Sequence, residues 1–123
     1  MKPQIDVVAE ARFVEKESEP ARSRYVFAYT IVISNSGSTA ARLLNRHWHI
    51  TDAEGAVSEV EGPGVVGKQP RLSAGESFRY TSAAVLETPV GSMHGRYEFE
   101  DDEGNRFLVP IPAFSLSVPN LVH

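Results

Sequence analysis

The residues best suited to chemistry in this chain sit in one short run, Gly62-Pro63-Gly64-Val65-Val66-Gly67-Lys68. Gly62, Gly64 and Gly67 match the G-x-G-x-x-G spacing of dinucleotide sites, while Gly62, Gly67 and Lys68 match the start of a P-loop, G-x-x-x-x-G-K. Both motifs aim backbone N–H groups, and the positive end of a following helix, at phosphate oxygens. The residues that follow deny that helix. Gln69 stands where a P-loop needs a Mg²⁺-binding hydroxyl, and Arg71-Leu72-Ser73-Ala74-Gly75-Glu76-Ser77 shows no 3.6-residue period. Two functional readings remain for the loop. It is an anion nest, with Lys68 adding charge and a phosphate-containing small molecule as ligand. Otherwise its glycines occupy positive-φ turn positions, and the loop presents Val65 and Val66 to a protein partner or folds them back onto the core.

His47 and His49 are the second candidate. Two residues apart on a strand, their imidazoles project from one face while Trp48 points to the other. Imidazole suits Co, Ni, Cu and Zn, but a structural metal site usually takes four ligands. His94, Asp52 and His123 are the donors that remain, and none is local to the pair. The pair therefore reads as solvent-facing, with no metal and no cofactor assigned. No Ser or His lies in a nucleophile motif such as G-x-S-x-G, and Asp101-Asp102-Glu103 reads as a solvated hairpin tip rather than a Ca²⁺ site. The expectation is a protein that is not an enzyme.

These residues must be carried by strands. Ile5, Val7, Ala9, Ala11 and Phe13 alternate on one buried face, and Tyr25 to Ile33 is apolar on both parities, as in a central strand. Leu44, Arg46, Trp48 and Ile50 share a face of a third strand, which Asp52-Ala53-Glu54-Gly55 turns into a short fourth near Val57 to Glu61. Phe78, Tyr80, Ser82 and Ala84 form a fifth. In the next, Met93, Gly95, Tyr97 and Phe99 face inward and His94, Arg96, Glu98 and Glu100 outward, before a hairpin at Asp101 to Asn105. The last strand switches parity between Phe107, Val109, Ile111 and Phe114, Leu116, Val118, with Pro110 and Pro112 at the change. A bulge at 110–113 on an edge strand is expected. About seven short strands predict an all-β sandwich of immunoglobulin or fibronectin III type.

At 123 residues, with 41% hydrophobic and 23% charged residues, the chain reads as a single domain, 1–123. A net charge of −4 speaks against nucleic-acid binding, which needs clustered cations to neutralise phosphates. There is no apolar run long enough for a membrane span, no signal-peptide core after Met1, and no cysteine. The expected compartment is the cytoplasm.

The blocks Arg46-His47-Trp48-His49-Ile50-Thr51-Asp52, the glycine loop with Gln69-Pro70, Ala74-Gly75-Glu76 and Tyr80-Thr81-Ser82 resemble the ApaG family. Thr88-Pro89-Val90-Gly91-Ser92-Met93-His94-Gly95-Arg96-Tyr97 and Ile111-Pro112-Ala113-Phe114-Ser115-Leu116 extend the resemblance over nearly the whole chain. It implies a fibronectin III-like sandwich. It also implies a bacterial protein associated with cobalt and magnesium tolerance and with dinucleoside polyphosphate metabolism, without an agreed molecular activity. Related domains in larger eukaryotic proteins look like protein-binding parts. The sequence thus points to a protein-interaction module, with phosphate, pyrophosphate or nucleotide binding by loop 62–68 as the alternative.

Overall fold

Antiparallel strands, with two 3-10 turns at Glu15–Glu17 and Pro20–Arg22, dominate the computed structural model, which describes residues 2–119. The strands are β1 (Ile5–Phe13), β2 (Tyr25–Asn35), β3 (Ala41–Asp52), β4 (Val57–Pro63), β5 (Arg71–Leu72), β6 (Ser77–Leu86), β7 (Val90–Asp101) and β8 (Arg106–Ser117). One sheet has the order β1-β2-β6. The other runs β4-β3-β7-β8, with β5 pairing the start of β3. This is the two-sheet sandwich expected. The strand beyond the expected seven is β5, whose two residues pair with Ala41 and Arg42 and are too few to show any alternation.

Period-2 patterning built the two inner faces. Tyr29, Ile31 and Ile33 from β2 and Tyr80, Ala84 and Leu86 from β6 pack against Leu43, Trp48, Met93, Tyr97, Phe99, Val109 and Leu116 of the larger sheet. The second apolar parity of β2 is also used, because Val26 and Ala28 are buried on its other face. Trp48 sits at the centre of the core. Its ring makes edge contacts with Tyr29, Tyr97 and Phe114 at centroid distances of 5.4, 6.4 and 5.9 Å. Its indole N–H has no acceptor among the described residues, a cost of about 1–3 kcal/mol. Three aromatic pairs at about 0.5–1.5 kcal/mol each offset it.

Two bulges set which side chains face inward. Against β7, β8 runs Ile111 opposite Gly95 and then Phe114 opposite Met93, so Pro112 and Ala113 bulge out where one residue faces them. The expected bulge lies there, on an edge strand, and it keeps Phe107 and Phe114 both against the core. A second bulge was not foreseen. On β3, Leu43 pairs with Phe99 and Asn45 with Glu98, leaving Leu44 without a partner on β7. Leu43, not Leu44, is therefore the fully buried residue, because an inserted residue resets the parity before Arg46, Trp48 and Ile50. Gly95 faces Trp48 across the pair, and a Cβ there would strike the His47 carbonyl oxygen. Glycine lets β7 approach β3 beneath the two histidines.

Two polar contacts tie the fold together. Tyr80 of one sheet and Tyr97 of the other share a buried hydroxyl–hydroxyl hydrogen bond of 2.5 Å. Asn35 is buried at the end of β2. It donates to the carbonyls of Thr39 and Leu72 at 2.8 and 3.0 Å and accepts from the N–H groups of Gln4 and Gly37 at 3.2 and 3.0 Å. The chain's start, the β2–β3 turn and β5 meet at that one side chain.

Candidate functional site

The glycine loop leaves β4 at Pro63 and is fastened to β3. The Leu44 carbonyl accepts from Gly64 N–H at 2.7 Å and from Gln69 Nε2 at 2.9 Å. Arg46 reaches from the next face of β3 and donates Nη1 to the carbonyls of Pro63 and Gly64, both at 3.0 Å. Arg42 Nη1 closes the far side on the Gln69 carbonyl at 2.8 Å. The bulge at Leu44 is thus beside the loop's anchors, consistent with bulges re-aiming local groups. Gly64 (φ +64) is required twice over, by its left-handed backbone and because a Cβ would strike the Lys68 carbonyl oxygen.

Val65 and Lys68 exchange two backbone hydrogen bonds, Val65 N–H to Lys68 O at 2.8 Å and Lys68 N–H to Val65 O at 2.9 Å. Between them Val66 (φ +43) and Gly67 (φ +78) form a two-residue turn with both central residues at positive φ, the type I′ pattern. The structure divides the valine pair. Val65 is wholly buried and belongs to the core, so its side chain is not open to a partner, whereas Val66 is 53% exposed at the tip. Gly67 and Lys68 are exposed beside it, while Gly62 belongs to β4 and packs against the Arg46 guanidinium. The N–H groups of Gly64, Val65 and Lys68 are all spent on carbonyls, so those three do not converge on a common anion.

The outer face of the larger sheet carries a second cluster. The His47 and His49 rings stack at 4.7 Å, and His49 stacks in turn on His94 of β7 at 5.0 Å. Trp48 points inward, as the strand spacing required. Glu59 and Glu61 come from β4, which pairs with β3 so that His47 faces Glu61 and His49 faces Glu59. His47 Nε2 lies 2.9 Å from Glu59 Oε1, and its Nδ1 lies 3.3 Å from Glu61 Oε2. The hydrogen bond from His47, then the charge of His49, holds the Glu59 carboxyl below the usual carboxylate range. Sequence reading named both histidines and His94 but not the two glutamates. The signal was the turn at Asp52–Gly55, which sets the β3–β4 register. Asp52 lies apart, its Oδ1 accepting from the N–H groups of Glu54 and Ala56 within that turn, and His123 lies outside the described residues. Beside the histidines a groove of about 440 Å³ is lined by Arg46, His47, Glu61, Arg96, Glu98 and Leu108.

No helix among the described residues is long and apolar enough to cross a membrane. What the fold defines is an antiparallel sandwich of the fibronectin III kind, with a bolted glycine loop at the margin of its larger sheet. A family model described as the ApaG domain matches residues 15–101, and the chain belongs to that family. It is 58% identical over 119 residues to Protein ApaG of Azoarcus sp. (strain BH72), covering 97% of this chain and 94% of the relative. Protein ApaG of Acidithiobacillus ferrooxidans (strain ATCC 53993 / BNL-5-31) is 52% identical over 120 residues, covering 98% and 94%. A Bordetella pertussis crystal structure described as an ApaA protein superposes with a TM-score of 0.94 at 46% identity, covering 97% of both chains.

Proposed function

We propose that this protein is a non-enzymatic protein-interaction module of the cytoplasm whose contact element is the tip of loop 62–68. One observation carries the reading: Val66, a β-branched residue, sits at φ +43 with its side chain 53% exposed. In the left-handed region a residue with a Cβ costs roughly 1–2 kcal/mol, and β-branched residues are genuine outliers there. Asn or Gly would relieve that strain. Burial does not compensate the Val66 side chain, and the reading assigns this strained apolar tip to a partner's pocket. The rest of the loop supports this role. Buried Val65, the Arg46 bonds and the Leu44 carbonyl hold the tip still, and a rigid presented residue loses little entropy on binding.

The test is Val66→Asn, which keeps the turn and removes the apolar tip. Relieved strain raises the melting temperature by about 3–5 °C for a gain near 1 kcal/mol, while capture of the partner from the native cytosol is lost. A more stable variant that still captures the same partner, or a wild-type protein that captures none, refutes the proposal.

A further inference from the structure

Three donor atoms meet on the outer face of the larger sheet, away from the loop tip. Glu59 Oε1 lies 2.9 Å from His47 Nε2 and 3.7 Å from His49 Nδ1. One donor atom from each of the three residues falls within 4.8 Å of the others. Ligands bound to one tetrahedral first-row metal at about 2.0–2.2 Å are separated by roughly 3–3.5 Å. The two rings now stack 16° from parallel, and a nitrogen lone pair lies in its ring plane, so metal binding requires one imidazole to turn out of the stack while the exposed Glu59 side chain follows. We propose that His47, His49 and Glu59 form a binding site for a divalent transition-metal ion such as Zn²⁺, Co²⁺ or Ni²⁺, with Glu61 orienting His47.

The role of Glu61 is what distinguishes a metal site from two stray histidines. Its Oε2 lies 3.3 Å from His47 Nδ1. Without a metal His47 donates Nε2–H to Glu59; a metal ion would displace that proton, leaving Nδ1–H on Glu61 and the Nε2 lone pair on the ion. That carboxylate–histidine–metal arrangement fixes the ligating tautomer and raises the basicity of the bound nitrogen. Two imidazole nitrogens and one carboxylate oxygen suit borderline transition metals. Mg²⁺ and Ca²⁺ prefer sets made of oxygen alone. Around the cluster and its groove Glu59, Glu61 and Glu98 outnumber the guanidinium groups of Arg46 and Arg96. Strand geometry supplies the placement, since β3 sets both imidazoles on one face and β4 brings Glu59 diagonally across from His47. The His94 ring stacks within 9° of parallel on His49 and is placed as a packing neighbour, not as a ligand. Three protein ligands leave at least one coordination position open, because His47, His49 and Glu59 retain side-chain exposures of 17%, 27% and 59%.

The untagged full chain titrated with ZnCl₂ in a calorimeter should bind one equivalent saturably in the micromolar range, while MgCl₂ gives no saturable heat. Substoichiometric Co²⁺ should broaden amide and imidazole signals of His47, His49 and Glu59 first. His49→Ala and Glu59→Gln each abolish saturable binding, and Glu61→Gln weakens it by about tenfold, the size expected for a residue acting through a ligand. His94→Ala leaves affinity unchanged. Amide spectra of the variants confirm that the fold is kept. The proposal is overturned if the cluster binds protons only, with no saturable Zn²⁺ heat, if Mg²⁺ competes equally, or if binding survives Glu59→Gln but is lost in His94→Ala.

Discussion

The hydrogen bond between Tyr80 and Tyr97 gives a quantitative test of how the two sheets are joined. Both side chains are buried, and their hydroxyls are 2.5 Å apart. Tyr97→Phe removes one hydroxyl and leaves the other buried without a partner. Such an orphan costs about 1–3 kcal/mol, whereas replacing both members by apolar groups of the same shape is nearly neutral. Each single variant should therefore lose about 2 kcal/mol, and the double variant Tyr80→Phe/Tyr97→Phe should be close to wild type. The coupling energy, the double variant's loss less those of the two singles, is then about 4 kcal/mol in magnitude, large even for residues sharing one polar contact. Urea unfolding followed by the fluorescence of the single tryptophan, Trp48, reads this directly. The urea dependence of stability should stay constant while the midpoint moves. Burial pushes both hydroxyls well above the usual phenol value of 10.0, Tyr97 further than Tyr80. A raised folded-state value means stability fully present below pH 10 and lost as pH climbs beyond it. The double Phe variant should lack that alkaline loss. Additive single-variant losses, or singles within 0.5 kcal/mol of wild type by this measurement, would refute the reasoning.

Asn35→Ala strips four backbone groups of their partner at a side chain 1% exposed. Some of these groups regain water at the surface, so chemical denaturation should show a loss of about 3–5 kcal/mol; a loss below 1 kcal/mol would contradict the account. Acid titration tests the surface carboxylates. Glu59 is held low by His47, Glu76 by the Ser73 N–H, Asp101 by the Asn105 N–H and Asp102 by Arg71. Depressed values contribute stability above the ordinary range of 3.8–4.5 that is lost as pH falls through the folded-state values. The melting temperature should hold near neutrality and decline below about pH 4.5, less steeply in Asp102→Asn. A curve flat to pH 3 would count against these contacts.

Much of the fold was legible because side-chain alternation along a strand is local covalent geometry. The inward set Met93, Tyr97 and Phe99 and the burial of Trp48 opposite the histidines follow from it. So does the β8 bulge: a parity switch beside two prolines has no other cheap solution on an edge. The β3 bulge was hidden because Leu43 and Leu44 are both apolar, and exchanging which one points inward leaves no trace in the pattern. Burial of Val65 beside an exposed Val66 was hidden for a related reason. Two adjacent valines look alike until the Val65–Lys68 turn, the Arg46 bonds and the core decide which one is enclosed.

Sequence by itself determined the β class, the family resemblance, the central tryptophan and the two imidazoles on one face. Only the tertiary structure decided that Glu59 and Glu61 stand against those imidazoles and that Arg46 holds the glycine loop. The physical reason is one of range. The direction of a side chain is set by its own backbone within a residue or two, but its neighbours across a sheet are set by register. Register depends on turns and bulges summed along two strands, and a single extra residue such as Leu44 changes every pairing beyond it.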